Sequence, residues 1–333
     1  MRRAVAVALL LVPAVGLASM PHGPGPQPPV AVSRIGLLVF PAIPHGWAEP
    51  LLPQEPLRQA LRDLGYVDGQ NLAWVTFAPA RRDLLPALAR DLLDLKVDVI
   101  LAAGPDAIRA AKEAIPKVPI VMLSSADPVE RGFVASMGRP GENVTGVYLA
   151  AAELGEKRLE LVKEAVPHAS RVAVLWNPAD AGAAHEWESL QAPARRLGLI
   201  LVPAECRSPG DMDGAFRAML SAGAGALVVV LDPLTHAQGS RIVQLAAKHR
   251  LPAVYGSRVF VEQGGLMAYQ AGARDVARRL AVFLDRILKG AWPDELPVER
   301  PTEFELVINL KTAKALGITI PPSVLVRADR VIE

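Results

Sequence analysis

Two successive series of short, β-branched segments, separated by amphipathic stretches, run through the sequence from Arg34 onward. The first series comprises Arg34–Phe40, Leu72–Phe77, Val97–Ala102, Ile120–Leu123 and Val144–Tyr148. The second comprises Arg171–Trp176, Leu199–Pro203, Ala226–Leu231, Ala253–Tyr255 and Leu266–Tyr269. Stretches with helical spacing of apolar residues lie between them, among them Arg82–Leu95, Glu153–Ala165, Met212–Ser221 and Arg274–Leu288. This alternation is typical of parallel sheets flanked by helices, so we predict an α/β fold.

The two series repeat one another in order. The nonapeptide RIGLLVFPA at Arg34 parallels RVAVLWNPA at Arg171. Leu64-Gly65 parallels Leu197-Gly198, and Val118-Pro119 parallels Leu251-Pro252. The offsets, taken from the residue numbers, are 137, 133 and 133 residues. Three matches in one order indicate two similarly wound, Rossmann-like lobes.

The first thirty residues resemble an export signal. Arg2 and Arg3 precede an uncharged apolar run from Ala4 to Ala18, which is too short to span a bilayer. We predict a signal peptide over 1–18, a Pro/Gly-rich tether over 19–33, and a protein located in the periplasm or on the extracytoplasmic face of the membrane. The two arginines account for the net charge of +2, since 36 Lys+Arg minus these two equals the 34 Asp+Glu. A neutral body without basic runs argues against nucleic acid as a partner.

Motifs for chemistry are missing from the sequence. It has no nucleophile elbow, phosphate-binding loop, dinucleotide fingerprint or zinc-protease motif. Cys206 is its single cysteine, and its six histidines are scattered without metal-ligand spacing. His236 with Asp232 comes closest to a catalytic pair, but no nucleophile accompanies it. We therefore expect no enzyme activity, no cofactor and no metal.

Pairs of a residue and a following proline recur where the expected strands end, and in most of them the first residue is polar or small. These pairs are Phe40-Pro41, Gly104-Pro105, Asp127-Pro128, Asn177-Pro178 and Asp232-Pro233. One interpretation is helix initiation, in which the first residue caps the helix and proline takes the first turn. The other is a ligand site, because ligands of open parallel sheets bind beyond the carboxyl ends of the strands. The two interpretations are compatible.

Aromatic residues are scarce, at 5% of the chain, yet several fall at the same strand ends. They are Tyr148, Tyr255 and Tyr269, with Phe40, Trp47 and Trp176 at or just beyond an end. Each of them packs equally well in a core or on a cleft wall. Together with hydroxyls such as Ser125, they would suit a small amphipathic organic ligand.

Several longer motifs resemble those of the ABC-transporter substrate-binding proteins whose best-understood branch binds tryptophan and other aromatic amino acids. They include LRDLGYVDGQN from Leu61, VDVI from Val97, DPV from Asp127, RPGENVTG from Arg139, KRLEL from Lys157, LWNP from Leu175 and FELVINLKTA from Phe304. The resemblance runs from about Arg34 to Glu333. It implies a type I periplasmic-binding-protein fold with three crossovers, which we place near Tyr148, Tyr255 and Pro293. Lobe 1 would comprise 34–147 plus 256–293, and lobe 2 would comprise 148–255 plus 294–333.

The same resemblance implies positions for the ligand site. Gly104 and Pro105 correspond to the family's third-strand turn. There the family commonly shows Gly-Thr-Pro-Ala, and Gly104-Pro105-Asp106-Ala107 replaces it, with the loss of a hydroxyl and the gain of a carboxylate. Ser125 and Asp127 correspond to its fourth-strand turn, and Asn177 and Asp232 to cleft positions of the second lobe.

For an amino acid ligand, Asp127 or Asp232 would neutralise the ammonium group, and Ser125 with helix N-terminal amides would hold the carboxylate. Tyr148, Tyr255 or Trp47 would cover the side chain, with Tyr269 a further candidate.

We expect a monomeric binding protein that closes on a small-molecule ligand and delivers it to an ABC permease in the membrane. Two alternatives stay open at this point. One is an exported two-lobe enzyme of the transferase type, and the other is a ligand-sensing subunit of a membrane receptor.

Overall fold

The computed structural model describes residues 32–40, 54–79 and 81–333. The predicted signal peptide, the tether up to residue 31 and Trp47 lie outside these residues. Residues 32–333 form one compact unit. In the described part of the chain, no helix is long and apolar enough to cross a membrane.

Among the described residues, the first sheet has five parallel strands. They are β1 (Ser33–Val39), β2 (Leu72–Phe77), β3 (Val99–Ala103), β4 (Ile120–Ser124) and β5 (Val144–Tyr148). Their order across the sheet is β2-β1-β3-β4-β5. Side chains of β1 alternate between two cores, with Ile35 and Leu37 on one face and Leu38 on the other. Burial on both faces explains why these strands read as continuous apolar runs.

The second sheet has seven strands in the part of the chain that the structure describes. They are β6 (Arg171–Trp176), β7 (Ile200–Glu205), β8 (Ala226–Val229), β9 (Ala253–Tyr255), β10 (Met267–Ala271), β11 (Phe304–Asn309) and β12 (Arg330–Ile332). Their order is β12-β11-β10-β9-β8-β6-β7, and only the β10–β11 pair is antiparallel. Strands β7-β6-β8-β9-β10 repeat the order of the first sheet. The α/β class and the two similarly wound halves are thereby confirmed.

Twelve α-helices occur among the described residues, and they cover the faces of the two sheets. They are α1 (Gln54–Asp63), α2 (Leu85–Asp94), α3 (Pro105–Ala114), α4 (Ala151–Ala165), α5 (Ala181–Arg196), α6 (Met212–Ser221), α7 (Pro233–Ala237), α8 (Gly239–Lys248), α9 (Arg258–Glu262), α10 (Ala273–Leu288), α11 (Leu310–Leu316) and α12 (Pro322–Leu325). Leu280 and Leu284 of α10 pack with Ile35 in a core of the first sheet. Leu159 and Val162 of α4 pack with Val172 in a core of the second.

The chain crosses between the sheets at three places. After Tyr148 it enters α4, which packs on the second sheet. It returns between β10 and α10, not near Tyr255, because β10 pairs with β9 and β11 in the second sheet. Residues 256–271, expected in lobe 1, therefore belong with the second sheet. Met267 and Ala268 of β10 are fully buried and pair with the three-residue strand β9. Their apolar character predicts a buried strand, but it does not reveal which of the two sheets the strand joins.

The third crossing also comes later than expected near Pro293. Glu299 still pairs with the edge of the first sheet, where its carbonyl accepts a 2.9 Å hydrogen bond from the Tyr148 N–H. Its own N–H donates to the Gly146 carbonyl, also at 2.9 Å. The chain reaches the second sheet only at β11. The segment that follows α10 thus pairs with β5, the edge strand of the first sheet, before the chain crosses to the second sheet.

Candidate functional site

A pocket lies between the two sheets, at the carboxyl ends of strands from both. Leu123, Ser125 and Leu149 come from the ends of β4 and β5. The second sheet and the helices supply the remaining lining residues, which are Leu231, Gly256, Gln270 and Ala271, Ala151, Leu154 and Arg158 of α4, Glu186 of α5, and Ala273 and Val276 of α10. Most of these side chains are apolar. The location agrees with the rule that open parallel sheets bind ligands beyond the carboxyl ends of their strands.

Helix α4 presents one face to this pocket. Ala151, Leu154 and Arg158 lie three and four residues apart, which places them in one row along the helix. The same spacing on α5 puts Glu186 on the buried stripe with Ala183 and Leu190. A charged residue therefore stands on the inward stripe of each helix.

Arg158 and Glu186 form a buried ion pair at one end of the pocket. Arg158 Nη1 donates to Glu186 Oε1 at 2.6 Å, and both residues are only 3% exposed. Arg158 Nε also donates to the Tyr269 carbonyl at 3.1 Å, which ties the pair to β10. Burial raises the pKa of Glu186, and the Arg158 guanidinium opposes that rise. The pair is a concentrated polar feature in an otherwise mostly apolar lining.

Ser125 is the one sequence-predicted site residue among the pocket's described lining. It comes directly after β4 and faces the start of α5 across the cleft. A Cβ built on Gly182 would lie 3.2 Å from Ser125 Oγ. Nearby, Arg131 Nη2 donates to the Ala181 carbonyl at 2.8 Å. The first and second lobes are thus in direct contact at this edge.

Gly104, Pro105 and Asp106 form the turn that starts α3. Gly104 has φ 93°, and a Cβ there would lie 2.5 Å from the Phe40 carbonyl oxygen, so only glycine fits. Pro105 occupies the first helical position, and Asp106 pairs with Arg82. The negative charge of Asp106 helps to raise the pKa of Asp180, although burial is the larger cause. This turn therefore faces the rim of the second lobe and is outside the described pocket lining.

Asp127 and Asp232, the expected partners of a ligand ammonium, both bond backbone N–H groups. Asp127 Oδ1 accepts from Val129 N at 2.8 Å and from Glu130 N at 3.1 Å. Asp232 Oδ1 accepts from Leu234 N at 2.8 Å and from Thr235 N at 2.9 Å, and its Oδ2 accepts from Asn177 N at 3.1 Å.

Asp232 is also only 2% exposed. Burial, with a smaller contribution from the charge of Asp180, raises its pKa to about 7 against the opposing N–H donors. The side chain of Asn177 caps Ala179 N at 2.9 Å.

The three tyrosines expected on the cleft wall lie elsewhere. Tyr255 is 1% exposed and stacks on Phe260, with ring centroids 4.9 Å apart, inside a core of the second sheet. Tyr148 is buried in a core of the first sheet, with the Arg300 guanidinium 5.1 Å from its ring centroid. Tyr269 stacks on Phe304 in an adjacent groove, which shares Leu149 and Leu154 with the pocket. Aromatic rings at strand ends are here used for packing, because each ring buries a large area wherever a core is available.

Arg158, Glu186 and Gln270 are pocket residues that the strand-end reasoning missed. One sequence pattern could have predicted Arg158. It lies four residues after Leu154 and three before Leu161, which puts a charged side chain on the apolar face of an amphipathic helix. Such a position is unusual for an unpaired charge. Among the described residues, no cluster of three or more His, Cys, Asp or Glu side chains is arranged to hold a metal ion.

The sequence matches the family described as ABC transporter substrate binding protein over residues 53–332. The chain belongs to this family. One relative of this substrate-binding protein is the tyrosine-binding protein of Clostridioides difficile, which is 28% identical over 264 residues, 78% of this chain and 75% of the relative.

Two solved structures share the fold at a TM-score of 0.80. One is a conserved domain protein of Vibrio cholerae, 25% identical, covering 90% of this chain and 99% of its own. The other is an ABC domain from Streptococcus pneumonia in complex with L-Trp, 24% identical, covering 91% of this chain and 100% of its own.

Proposed function

We propose that this substrate-binding protein takes up an amino acid with an aromatic side chain and delivers it to an ABC permease. The observation that carries the proposal is the mostly apolar pocket, whose walls come from the strand ends of both lobes. A pocket of this kind suits a small ligand with a large apolar part and few polar groups. The relative that binds tyrosine and the shared fold of the L-Trp complex support the choice of ligand.

Binding without chemistry is the mechanism that this site supports. A ligand that touches both walls of the pocket stabilises the closed arrangement of the lobes, because its contacts are complete only in that state. The closed protein would then dock on the permease. Ser125 supplies an uncharged polar group for orientation on one wall. On the other wall, the Gln270 amide already bonds Arg258 N and Glu305 Oε2.

Export places the protein where an importer needs it. The Arg2-Arg3 leader with its apolar run supports cleavage near Ala18 and a mature protein outside the cytoplasm. Mass spectrometry of the protein recovered from its native compartment should give a chain that starts close to residue 19. A mature chain that still contains Arg2 and Arg3 would contradict export by this route.

Calorimetric titration with a panel of amino acids tests the ligand assignment. We expect L-tyrosine or L-tryptophan to bind tightly, and small polar amino acids to bind at least about tenfold more weakly, since one large buried side chain contributes roughly 1.5–3 kcal/mol. Mass spectrometry of the small molecule that co-purifies gives an independent answer. Turnover of the bound molecule would favour the transferase alternative.

A pocket-filling variant locates the binding site. Ala273→Trp puts a large ring into the pocket, so we expect the affinity for L-tyrosine to fall at least about tenfold. Ala247→Trp, on the exposed side of α8, is the matched control and should leave the affinity unchanged. Equal affinities of the two variants would place the ligand elsewhere.

A further inference from the structure

The Arg158–Glu186 pair has hydrogen-bonding capacity that its protein partners do not use. Arg158 bonds through Nη1 and Nε, and Glu186 bonds through Oε1. Within residues 32–40, 54–79 and 81–333, neither Arg158 Nη2 nor Glu186 Oε2 forms a hydrogen bond to another residue. A guanidinium carries five N–H donors and a carboxylate about four acceptor positions, so most of the pair's capacity is unspent. Buried charges are costly unless such positions are filled.

Two glycines lie against this pair. A Cβ on Gly155 would lie 3.0 Å from Glu186 Oε1, and a Cβ on Gly256 would lie 3.4 Å from Arg158 Cζ. The same Gly256 Cβ would lie 2.8 Å from Leu231 Cβ. A side chain at Gly155 would crowd the Glu186 carboxylate, and one at Gly256 would contact the Arg158 guanidinium and clash with Leu231. Glycine at both positions therefore leaves room for the pair.

The charges also match one class of ligand. An α-amino acid presents a carboxylate and an ammonium group on one carbon, and Arg158 and Glu186 present the complementary charges 2.6 Å apart. Leu123, Leu149 and Leu154 line the same pocket and offer apolar surface for the ligand's side chain. A zwitterion leaves the net charge of the pocket unchanged, so neither buried charge loses its balance on binding.

We propose that the Arg158–Glu186 pair is the part of the pocket that binds the zwitterion, with Arg158 holding the ligand's carboxylate and Glu186 its ammonium group. This rests on the proposed amino acid ligand and assigns the polar contacts to residues other than Asp127 and Asp232. Neither of those two residues is among the described lining of the pocket, whereas Arg158 and Glu186 both are.

Three probes on the full chain test this in calorimetric titration. They are L-tyrosine, L-tyrosinamide, which lacks the carboxylate, and 3-(4-hydroxyphenyl)propanoate, which lacks the ammonium group. The wild-type protein should bind each analogue at least about tenfold more weakly than L-tyrosine, because a hydrogen bond to a charged group contributes roughly 1.5–3 kcal/mol. Equal binding of all three would overturn the assignment without any variant.

The variants assign the two contacts separately. R158Q should lower the affinity for L-tyrosine at least about tenfold but change that for L-tyrosinamide by less than about threefold. The isosteric E186Q should show the same contrast between L-tyrosine and 3-(4-hydroxyphenyl)propanoate. E164Q is the matched control, because Glu164 lies on the same helix and pairs with Arg327. It should bind all three probes as the wild type does.

The possible results distinguish a failure of the Arg158–Glu186 assignment from a failure of the proposed amino acid function. Equal losses for all three probes in R158Q and E186Q, with lowered melting temperatures, would show that the pair supports the fold and does not hold the ligand's charged groups. If R158Q fails to fold, the relative affinities of the wild type for the three probes, together with those of E186Q, still test whether the pair binds the zwitterion. A wild type that binds neither L-tyrosine nor L-tryptophan would overturn the amino acid function itself, and this assignment with it.

Discussion

The carboxylate of Asp232 is buried at the start of α7, where it accepts three backbone N–H hydrogen bonds. Burial nevertheless raises its pKa to about 7, and the neighbouring charge of Asp180 adds to the rise. The unfolded chain ionises near the ordinary aspartate pKa of 3.8. Between these two values the folded state binds the proton that the unfolded state has lost. The contribution of Asp232 to stability is therefore fully present below about pH 3.8 and is lost as the pH rises through about 7.

Substitution of Asp232 by asparagine should flatten this part of the pH profile. In the wild type, Asp232 makes the free energy of unfolding fall by up to about 1.4 kcal/mol per pH unit between about pH 4 and 7. Asp232→Asn has no proton to release, so its profile should be flatter over that window. Urea unfolding at pH 5 and pH 8 measures the difference. Parallel profiles for the two proteins would show that the pKa of Asp232 is not raised.

Strand-end residues were predictable as a group, but their individual roles were not. Gly104, Asp127 and Asp232 all lie where the sequence placed them, after strands of parallel sheets. The Asx-Pro pattern fits a cap and a ligand contact equally well, and the side chains of both aspartates cap backbone N–H groups. Arg158 could be found only by asking which charge lies on an apolar helical stripe. Its partner Glu186 lies 28 residues away, and only the packing of α4 on α5 brings the two together.

Strand β5 is an element whose sequence is constrained by its backbone neighbours. Gly146 has φ 138°, and a Cβ there would lie 2.2 Å from the Met122 carbonyl oxygen and 2.5 Å from Met122 N. Met122 belongs to β4, and the Gly146 carbonyl also accepts from Glu299 N. Neither backbone neighbour has room to move within the sheet.

A methyl group at position 146 should therefore destabilise the protein strongly. We expect Gly146→Ala to lower the free energy of unfolding by about 3 kcal/mol or more, through clash and strain at a positive φ. Gly138→Ala is the matched control, because nothing lies within 4 Å of a Cβ there and the backbone needs no positive φ. It should stay within about 0.5 kcal/mol of the wild type. Denaturant unfolding of the two variants gives the comparison, and a small effect at 146 would contradict the tight approach of β4.

Elements with a strong local pattern were predicted well. β2, β5, β6, β9 and α6 have the observed bounds, since turn residues or a switch of periodicity mark both of their ends. Sheet membership was harder, because β10 could have paired with either sheet on apolarity alone. The repeat contained the missing signal, since β10 is the fifth strand of the second series just as β5 is the fifth of the first.

At the scale of the whole molecule, two contacts join the lobes at one edge of the cleft. Arg131 donates from the first lobe to the Ala181 carbonyl of the second, and Glu130 Oε2 lies 3.7 Å from His185 Nδ1 beside it. If the lobes open and close around a ligand as proposed, we expect these contacts to favour the closed form. The sequence predicts that the lobes close, but it does not show which surface residues meet, since Arg131 and Ala181 are 50 residues apart.

Loss of the Arg131 contact should weaken binding without touching the pocket. Arg131→Gln shifts the protein toward the open form, so we expect L-tyrosine to bind about fivefold more weakly, mainly through faster dissociation. Stopped-flow kinetics measures the dissociation rate. Arg195→Gln, at an exposed position near the end of α5, is the control and should behave as the wild type. A slower association rate with unchanged dissociation would argue against a closing contact.

The pairing of Glu299 with β5 has a consequence for how this chain is made. The edge of the first lobe, begun at residue 144, is completed only when residue 299 has been synthesised. The second sheet is completed later still, because β11 and β12 follow at Phe304–Asn309 and Arg330–Ile332. Both sheets thus take an edge segment from residues 299–333. Removal of those residues would therefore leave both lobes incomplete, not the second lobe alone.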